Sequence, residues 1–265
     1  MRPMLCETFT GDLPAKYCIE PKLDGVRVLI RVNPKFKTVT FETRNGRALK
    51  SLAHLKAEVL AFIGDMKGDI VLDAEATCTD GTFYDYVGTL RASAKAPAAL
   101  LTVFDVIDLL SPCHARRTAL EARCKPTDSI RLIERKGGNP DIDAAYAAAL
   151  AAGHEGIIVK DLDSAYDGGE RSTAWLKVKP TQTHDVKVVE VVECKTRQGL
   201  LGAFVVNFNG VPVRVGTGFH GDREKRTLWD ARQALVGSVV EVACQEVTPA
   251  GSMRHPRFVR VRGDK

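Results

Sequence analysis

Residues 19–27 read Ile-Glu-Pro-Lys-Leu-Asp-Gly-Val-Arg, so that a lysine, a carboxylate and a glycine lie between two strand-like flanks. Downstream, the apolar residues 26, 28, 30 and 32 alternate with Arg27, Leu29 and Arg31, which is the period-2 pattern of a half-buried strand. Gly25 allows a backbone turn or a close ligand approach that a Cβ would obstruct. The stretch therefore predicts a turn with Lys22 at the rim of a sheet and arginines on one face, where they suit an anionic ligand. An ordinary hairpin with solvated charges is the alternative for so short a motif.

The composition is that of a globular protein with one large or two moderate domains: 265 residues, 45% hydrophobic and 27% charged. No apolar run is long enough to cross a bilayer, and no apolar signal region follows residues 1–4, so we expect no membrane association. The seven cysteines are scattered and form no Cys-x-x-Cys pair, which argues against a disulfide framework and against a zinc site. We therefore expect a reduced, intracellular protein.

Most of the net charge of +5 lies at the C-terminal end of the chain, where residues 184–265 hold 13 basic and 9 acidic residues. The densest basic stretch is 254–262, in which apolar residues are interleaved with arginines. These arginines are Arg254, Arg257, Arg260 and Arg262. The pattern predicts a strand that displays guanidinium groups, and arginine on a strand can hold phosphates. A solvated basic tail is the alternative.

Periodicity divides the chain into a mixed N-terminal part and a C-terminal part made mostly of strands. In the first part we predict strands over 17–19, 26–32, 37–44, 69–77, 100–110, 155–160 and 174–179, and helices over 51–63, 116–124 and 141–153. Residues 161–173 are predicted as a polar loop and the aperiodic segment 180–183 as the domain boundary. In the second part we predict strands over 185–194, 201–208, 211–217, 238–248 and 257–262, and a helix over 222–236.

The second part has the element order of a small OB barrel, because three strands are followed by a helix and two more strands. The face of such a barrel commonly binds nucleic acid. The predicted fold class is therefore α+β, with residues 1–180 as one domain and residues 184–265 as the other.

Six short motifs follow one another along the chain. They are Lys22-Leu23-Asp24-Gly25, Thr43-Arg44-Asn45-Gly46, Leu72-Asp73-Ala74-Glu75, Phe104-Asp105-Val106, Glu155-Gly156-Ile157-Ile158-Val159-Lys160 and Trp175-Leu176-Lys177-Val178-Lys179. The series resembles the ordered motifs of the covalent nucleotidyltransferases, and most closely those of ATP-dependent DNA ligases. Gly169 with Arg171-Ser172, and Arg262-Gly263-Asp264-Lys265 at the end of the sequence, also look like ligase. The compact size is similar to that of the minimal ligases of some bacteriophages and bacteria.

The resemblance implies a nucleotidyltransferase (adenylation) domain of mixed antiparallel sheets and helices, followed by an OB-fold β-barrel. By the same resemblance, Lys22 attacks the α-phosphate of ATP, expels pyrophosphate and carries AMP. The AMP then passes to the 5′-phosphate of nicked double-stranded DNA, and the adjacent 3′-hydroxyl displaces it. Asp24 shares the nucleophile motif and is assigned to catalysis with Lys22. Lys177, Lys179 and Arg27 are the cations that would favour an unprotonated nucleophile and neutralise charge on the phosphates.

The remaining motif residues are assigned by the same resemblance. Glu155, together with Glu75, would hold Mg²⁺, with Mn²⁺ as an alternative, and the ion would keep much of its water. Glu75 would also contact the ribose, Phe104 the adenine, and Arg44 the ribose or the DNA 5′-phosphate. Ile19 and Glu20 are also expected to recognise adenine.

Two departures from the family pattern and several competing functions bear on these assignments. Ala74 stands where many members carry glycine, and the Arg-x-Asp-Lys motif occupies the last four residues. An mRNA-capping guanylyltransferase, which would prefer GTP, and an RNA ligase are the nearest alternatives. A non-catalytic single-strand-binding OB protein would leave Lys22, Glu155 and Lys177 without a purpose. NAD as the donor is disfavoured because no N-terminal nicotinamide module is evident. We expect a monomer in the cytoplasm of a bacterium or a phage-infected host.

Overall fold

The computed structural model describes residues 2–108 and 110–263, and the chain divides into two compact units after Val178. The strands of the first unit are β1 (Leu5–Thr8), β2 (Tyr17–Lys22), β3 (Val26–Asn33), β4 (Thr38–Thr43), β5 (Ile70–Cys78), β6 (Ala99–Val106), β7 (Ile130–Leu132), β8 (Gly156–Asp161) and β9 (Arg171–Val178). Its helices are a 3₁₀ helix (Lys50–Leu55), α1 (Lys56–Phe62), α2 (Phe83–Arg91), α3 (Cys113–Arg123) and α4 (Ile142–Ala151).

The larger sheet of the first unit has the strand order β4-β3-β5-β6-β7. Its pairs are antiparallel except for β6 and β7, which are parallel. The apolar residues that alternate along β3 and β5 bury one face of this sheet against α1, α2 and α3, with Val28, Leu72, Phe62, Leu90 and Leu120 in one buried cluster. Each such side chain contributes about 1.5–3 kcal/mol of hydrophobic stabilisation. This face forms the core, which leaves the opposite face of the sheet available for polar residues.

The smaller sheet of the first unit has the order β1-β9-β8-β2, with β1 parallel to β9 and the other pairs antiparallel. Helix α4 packs on it through Ala145 and Ala149. The two sheets approach each other at a third cluster, in which Trp175 of β9 lies among Met4 and Tyr166 with Phe104 of β6 packed against them. The end of β2, which carries Lys22, lies in the smaller sheet.

The second unit is built on a five-stranded antiparallel sheet. Its elements are β10 (Gln182–Glu193), β11 (Leu201–Phe208), β12 (Val211–Val215), α5 (Gly221–Asp230), α6 (Arg232–Leu235), β13 (Val239–Cys244), β14 (Glu246–Val247), β15 (Met253–Arg254) and β16 (Arg257–Val261). The sheet order is β12-β11-β10-β13-β16, and β14 and β15 form a separate two-stranded ribbon. Across residues 179–263 the sheet is open, since β12 and β16 are its two edges.

Several element boundaries differ from the sequence predictions; β10, for example, begins at Gln182 rather than at Asp185. Strand β6 ends at Val106 rather than at Leu110, because the Asp108 carboxylate accepts hydrogen bonds from Leu110 N (3.0 Å) and Ser111 Oγ (2.5 Å) and forms a turn. The 51–63 helix begins as a 3₁₀ helix, and the 222–236 helix is divided at Ala231. The predicted 161–173 loop ends earlier because β9 begins at Arg171, opposite Leu5 of β1.

Helix α2 was not predicted, although the sequence carries its signal. The Thr82 hydroxyl and the Thr82 backbone N–H both bind the Asp85 carboxylate, at 2.8 and 2.7 Å. This is the capping-box spacing that marks a helix start. Aromatic residues directly after Thr82 obscure the helical period.

Two further findings concern the chain as a whole. Within residues 2–108 and 110–263, no helix is long and apolar enough to cross a membrane. All seven cysteines carry free thiols.

Candidate active site

Lys22 ends β2 and is ion-paired with Glu155, which immediately precedes β8. The antiparallel register sets Lys22 opposite Gly156, and Glu155 N donates to the Lys22 carbonyl at 2.9 Å. The Lys22 side chain is 23% exposed and that of Glu155 10%, so the pair is mostly shielded from solvent. The first and fifth motifs therefore converge, although 133 residues separate them.

The turn after Lys22 depends on a glycine. A Cβ at Gly25 would lie 2.3 Å from the carbonyl oxygen of Ala76 in β5, so the close approach of the two segments excludes any other residue. The carbonyl of Asp24 accepts a hydrogen bond from Tyr86 Oη at 2.5 Å, which ties the turn to α2. The turn therefore requires glycine at position 25 because a larger residue would clash with β5.

Arg27, on β3, lies in a hydrogen-bonded group with Asp73 and Tyr166. Its Nε and Nη2 donate to the two carboxylate oxygens of Asp73 at 2.8 and 2.6 Å. Burial by itself would lower the pKa of Arg27, but Asp73 outweighs it and the pKa is raised, so the guanidinium stays charged. The guanidinium carbon is also 5.4 Å from the ring centre of Phe104, within cation–π range. Asp73 and Tyr166 were not predicted as site residues.

Phe104 is half-buried between cations and another aromatic ring. Its ring meets Trp175 edge-on at 6.0 Å, and Lys160 Nζ lies 5.0 Å from its centre. Lys160 Nζ also donates to the Phe104 carbonyl at 3.0 Å, which holds the backbone at this point of β6. One part of the ring is thus fixed by protein contacts while the rest is accessible.

Glu20 and Ile19, predicted to recognise adenine, are both engaged by protein partners. The Glu20 carboxylate is buried, where Oε1 accepts from Arg135 Nε and Nη2 (2.9 and 2.8 Å) and Oε2 lies 2.8 Å from Lys160 Nζ. Ile19 exchanges two backbone hydrogen bonds with Lys136, both of 2.8 Å. The side chain of Glu20 therefore has a structural role in an ion network whatever its part in nucleotide binding.

The ion network continues from Lys160 into the centre of the unit. Lys160 Nζ lies 3.8 Å from Asp105, and Asp105 binds Arg116 of α3 in a two-point pair of 2.8 and 3.0 Å. Asp105 and Lys160 belong to the recognised motifs, which is the one signal that could have identified them. Arg116 and Arg135 lie outside any motif.

Glu75 lies across from Arg27 in the β3–β5 register. Burial raises the pKa of Glu75 to about 8, against the lowering effects of Lys22 and Arg27, and Glu155 adds to the rise. Glu75 therefore lies close enough to Lys22 and Glu155 to be affected by their charges. Among residues 2–108 and 110–263, no three His, Cys, Asp or Glu side chains converge as a metal site. A divalent ion here would therefore depend on one or two carboxylates and on ligand phosphates.

The other predicted nucleotide cations are divided between the units. Lys177 Nζ donates to the Cys6 carbonyl at 3.3 Å, and burial first, then Arg171 and Lys22, lower the pKa of Lys177. The predicted strand 174–179 ends at Val178, so Lys179 belongs to the second unit, where its Nζ donates to Gln245 Oε1 at 2.9 Å. Arg44 is exposed in the turn after β4.

The four C-terminal arginines do not form the single displayed row that the sequence predicts. Arg254 lies on the separate strand β15 and pairs with Glu246 at 2.8 Å, and Arg262 follows β16 and pairs with Asp185 at 2.8 and 2.9 Å. Both side chains are largely buried, at 11% and 16% exposed. Arg257 and Arg260 are exposed on β16, with Arg260 paired to Glu241 at 2.8 Å. Asp264 and Lys265 of the terminal motif lie outside the described residues.

Comparison with known protein families gives matches to both units. A family described as ATP dependent DNA ligase domain matches residues 3–179, and one described as DNA ligase OB-like domain matches residues 195–262. A probable DNA ligase of Kineococcus radiotolerans is 32% identical over 99% of this chain and 59% of its own length. A probable DNA ligase of Streptomyces avermitilis is 31% identical over 99% of this chain and 60% of its own. The chain thus spans about 60% of the length of these curated relatives.

Two solved structures resemble the fold. One, described as Pmar-Lig_PreS3, has a TM-score of 0.80 at 26% identity. The aligned region covers 99% of this chain and 68% of the chain in that structure. A Lig E DNA ligase has a TM-score of 0.76 at 22% identity and covers 99% of both chains. The predicted α+β class, with a nucleotidyltransferase-type domain and an OB-like domain, is confirmed, with the sheets open.

Proposed function

Since this chain belongs to the ATP-dependent DNA ligase family, we propose that it seals nicks in double-stranded DNA through a lysyl-AMP and a DNA-adenylate intermediate. The observation that carries the proposal is the ion pair of Lys22 with Glu155 beside Arg27 and the half-open ring of Phe104. An amine, a carboxylate, a fixed guanidinium and an aromatic ring are the groups that nucleotidyl transfer to lysine needs.

In the proposed first step, the Lys22 ammonium releases a proton to solvent, and the resulting amine attacks the α-phosphorus of ATP. A P–N bond forms, the bond to the bridging oxygen of pyrophosphate breaks, and the electron pair leaves with pyrophosphate. Lys22 must first separate from Glu155, because an ammonium that is held by a carboxylate is not nucleophilic. Lys177 and Arg27 would stabilise the charge that develops on the phosphate oxygens. We propose that Asp24 orients the turn and that Lys179 assists at the phosphates.

We further propose that Glu155 and Glu75 hold Mg²⁺, or Mn²⁺ in its place, when ATP is bound. Two carboxylates suit a hard cation that retains several waters and takes its other oxygens from phosphates. The ion would supply charge neutralisation at the phosphates. Ile19 and Glu20 are proposed to border the adenine, Glu75 the ribose, and Arg44 the ribose or the DNA 5′-phosphate.

The proposal is tested by self-labelling. The protein is incubated with Mg²⁺ and either ATP or GTP carrying an α-phosphate label, and is then separated under denaturing conditions. We expect covalent label from ATP and none from GTP, followed by transfer of the label to nicked duplex DNA. Label from GTP alone would identify a capping-type enzyme, and transfer only to RNA ends would identify an RNA ligase.

Phe104→Ala is expected to raise the ATP concentration needed for half-maximal self-labelling. Loss of a base-stacking contact costs about 1–3 kcal/mol, which corresponds to about a 5- to 150-fold rise. The partly buried ring should contribute less to stability than the ~3–5 kcal/mol of a fully buried phenylalanine. The two quantities are measured by ATP titration of labelling and by urea unfolding.

Phe36→Ala provides the matched control, because Phe36 is an exposed phenylalanine at the β3–β4 turn. It should leave the ATP requirement unchanged. If Phe104→Ala lowers stability by the full core value and leaves the ATP requirement at the wild-type level, Phe104 is a core residue and does not contact adenine.

Arg257 and Arg260, which are exposed on β16, are proposed to contact DNA phosphates. Each phosphate contact contributes about 0.9 to the slope of log affinity against log salt, so replacing both with alanine should flatten the slope for nicked-DNA binding by about 2. Arg214→Ala, on the opposite edge strand β12, is the control for lost charge and should change the slope by less than half of that amount. An unchanged slope in the double variant would mean that β16 presents only a solvated face.

We propose residues 1–180 as the adenylation domain and 184–265 as the DNA-binding domain. We also propose a monomeric, intracellular protein. The free thiols suit a reducing compartment.

A further inference from the structure

The hydroxyl of Tyr166 lies at a junction of three chain segments. It is 2.6 Å from Asp73 Oδ2 on β5, it accepts a hydrogen bond from the Met4 backbone N–H at 3.2 Å, and it lies 3.4 Å from Arg27 Nη2 on β3. The residue is buried, and its ring packs perpendicular to that of Trp175 with centres 5.6 Å apart. None of the sequence motifs assigns Tyr166 a role.

The direction of the Tyr166–Asp73 hydrogen bond is fixed by ionisation. Burial, and then the Asp73 carboxylate, raise the pKa of Tyr166 well above its usual value, so the phenol keeps its proton and donates it to Asp73. Asp73 Oδ2 thus receives hydrogen bonds from both Tyr166 Oη and Arg27 Nη2. Two donors on one oxygen restrict the rotation of the carboxylate more than one donor would.

The guanidinium of Arg27 has one nitrogen left for a ligand. Nε and Nη2 are both used by Asp73, and among residues 2–108 and 110–263 no hydrogen bond is made by Nη1. The Arg27 side chain is 16% exposed, so the group is not fully enclosed by the protein. The two-point contact with Asp73 determines where Nη1 points.

We propose that Tyr166 is a positioning residue for nucleotide binding, which acts through Asp73 to hold Arg27 with Nη1 directed at the nucleotide. The inference rests on the proposed function, since Arg27 serves the nucleotide only if ATP binds here. Without the Tyr166 hydroxyl, the Asp73 carboxylate can rotate. Arg27 can then keep only one of its two hydrogen bonds to Asp73. The ring of Tyr166 packs against Trp175 and the Arg116 guanidinium and does not depend on the hydroxyl.

Tyr166→Phe removes the hydroxyl and keeps the ring. We expect the ATP concentration for half-maximal self-labelling to rise by about three- to tenfold, the range that corresponds to one lost hydrogen bond. The labelling rate at saturating ATP is expected to fall as well, by less than about tenfold, because Arg27 also stabilises the charge that develops on the phosphate oxygens. Tyr17→Phe is the matched control: it removes another buried tyrosine hydroxyl of the same unit, which donates to the Pro140 carbonyl at 3.0 Å.

A double-mutant cycle with Arg27→Gln separates positioning from general support of the fold. If Tyr166 acts through Arg27, then adding Tyr166→Phe to Arg27→Gln changes the ATP requirement no further. Equal effects of Tyr166→Phe with and without Arg27 would overturn the proposal. Should Arg27→Gln fail to fold, the comparison of Tyr166→Phe with Tyr17→Phe decides alone: equal ATP requirements in these two variants would also overturn it.

Failure of this inference can be distinguished from failure of the proposed function. Wild-type protein that takes no label from ATP would refute both. Normal wild-type labelling with an unchanged ATP requirement in Tyr166→Phe would refute the positioning role alone.

Discussion

Lys22→Arg is expected to abolish self-labelling from ATP and, with it, nick sealing that starts from ATP. A guanidinium stays protonated at any usable pH and cannot attack phosphorus. The arginine can still pair with Glu155, so the local charge balance and the fold should survive. The measurement is covalent label on the variant at saturating ATP, set beside its thermal unfolding curve.

Lys16→Arg is the control for this variant. Lys16 lies on the same segment of chain, just before β2, and its exposed amine forms a surface ion pair with Asp163 at 3.3 Å. It should label at the wild-type rate. If folded Lys22→Arg protein still took label, the nucleophile would be another residue and the assignment of the first motif would be wrong.

The sequence alone predicts those parts of the candidate site that depend on a short stretch of chain or on a motif. Strand periodicity and Gly25 predicted the turn that bears Lys22, and the turn is now explained by the contact of Gly25 with β5. The resemblance to ligases supplied Glu155 as a site residue, predicted to hold a metal ion, and antiparallel pairing of β2 with β8 brings it to Lys22. Both signals are short-range or motif-based, so the sequence itself contains them.

The partners of the buried charges could not be predicted, because they come from distant parts of the chain. Glu20 pairs with Arg135 across 115 residues, and Tyr166 reaches Asp73 across 93. No periodicity marks Arg135 or Tyr166, since an arginine or a tyrosine in a polar loop looks solvated until its burial is known. A sequence motif gives the residues that chemistry requires, but it does not give those that hold them in place.

The C-terminal arginines make the same point for the second unit. Their spacing suggested one strand of displayed charge, but the chain turns between Arg254 and Arg257 and places them on β15 and β16. Arg254 and Arg262 then find carboxylate partners in their own unit. Alternation in a sequence indicates a strand only while the backbone stays extended, and His255, with a φ of 52°, interrupts it.

Arg116→Met is expected to cause the largest loss of stability, about 3–5 kcal/mol, because it removes one partner of a buried charge pair. The Arg116 side chain is fully buried, with 0% exposure, and it donates to Asp105, to the Ser111 carbonyl (2.7 Å) and to the Ser164 carbonyl (3.2 Å). Methionine fills similar space but leaves Asp105 with Lys160 at 3.8 Å as its nearest cation. The measurement is urea unfolding followed by tryptophan fluorescence in a Trp229→Phe background, so that Trp175 of the first unit is the reporter.

Arg123→Met is the control within the same helix, since Arg123 makes an exposed contact with Asp65 at 3.8 Å and should contribute less than about 1 kcal/mol. A second test separates lost charge balance from lost packing: Asp105→Asn in the Arg116→Met background removes the uncompensated charge and should recover a large part of the stability. If Arg116→Met cost no more than Arg123→Met, the network from Glu20 through Lys160 to Asp105 would not depend on Arg116. The fixed backbone at Phe104, one residue before Asp105, would then have to be attributed to its hydrogen bond with Lys160 alone.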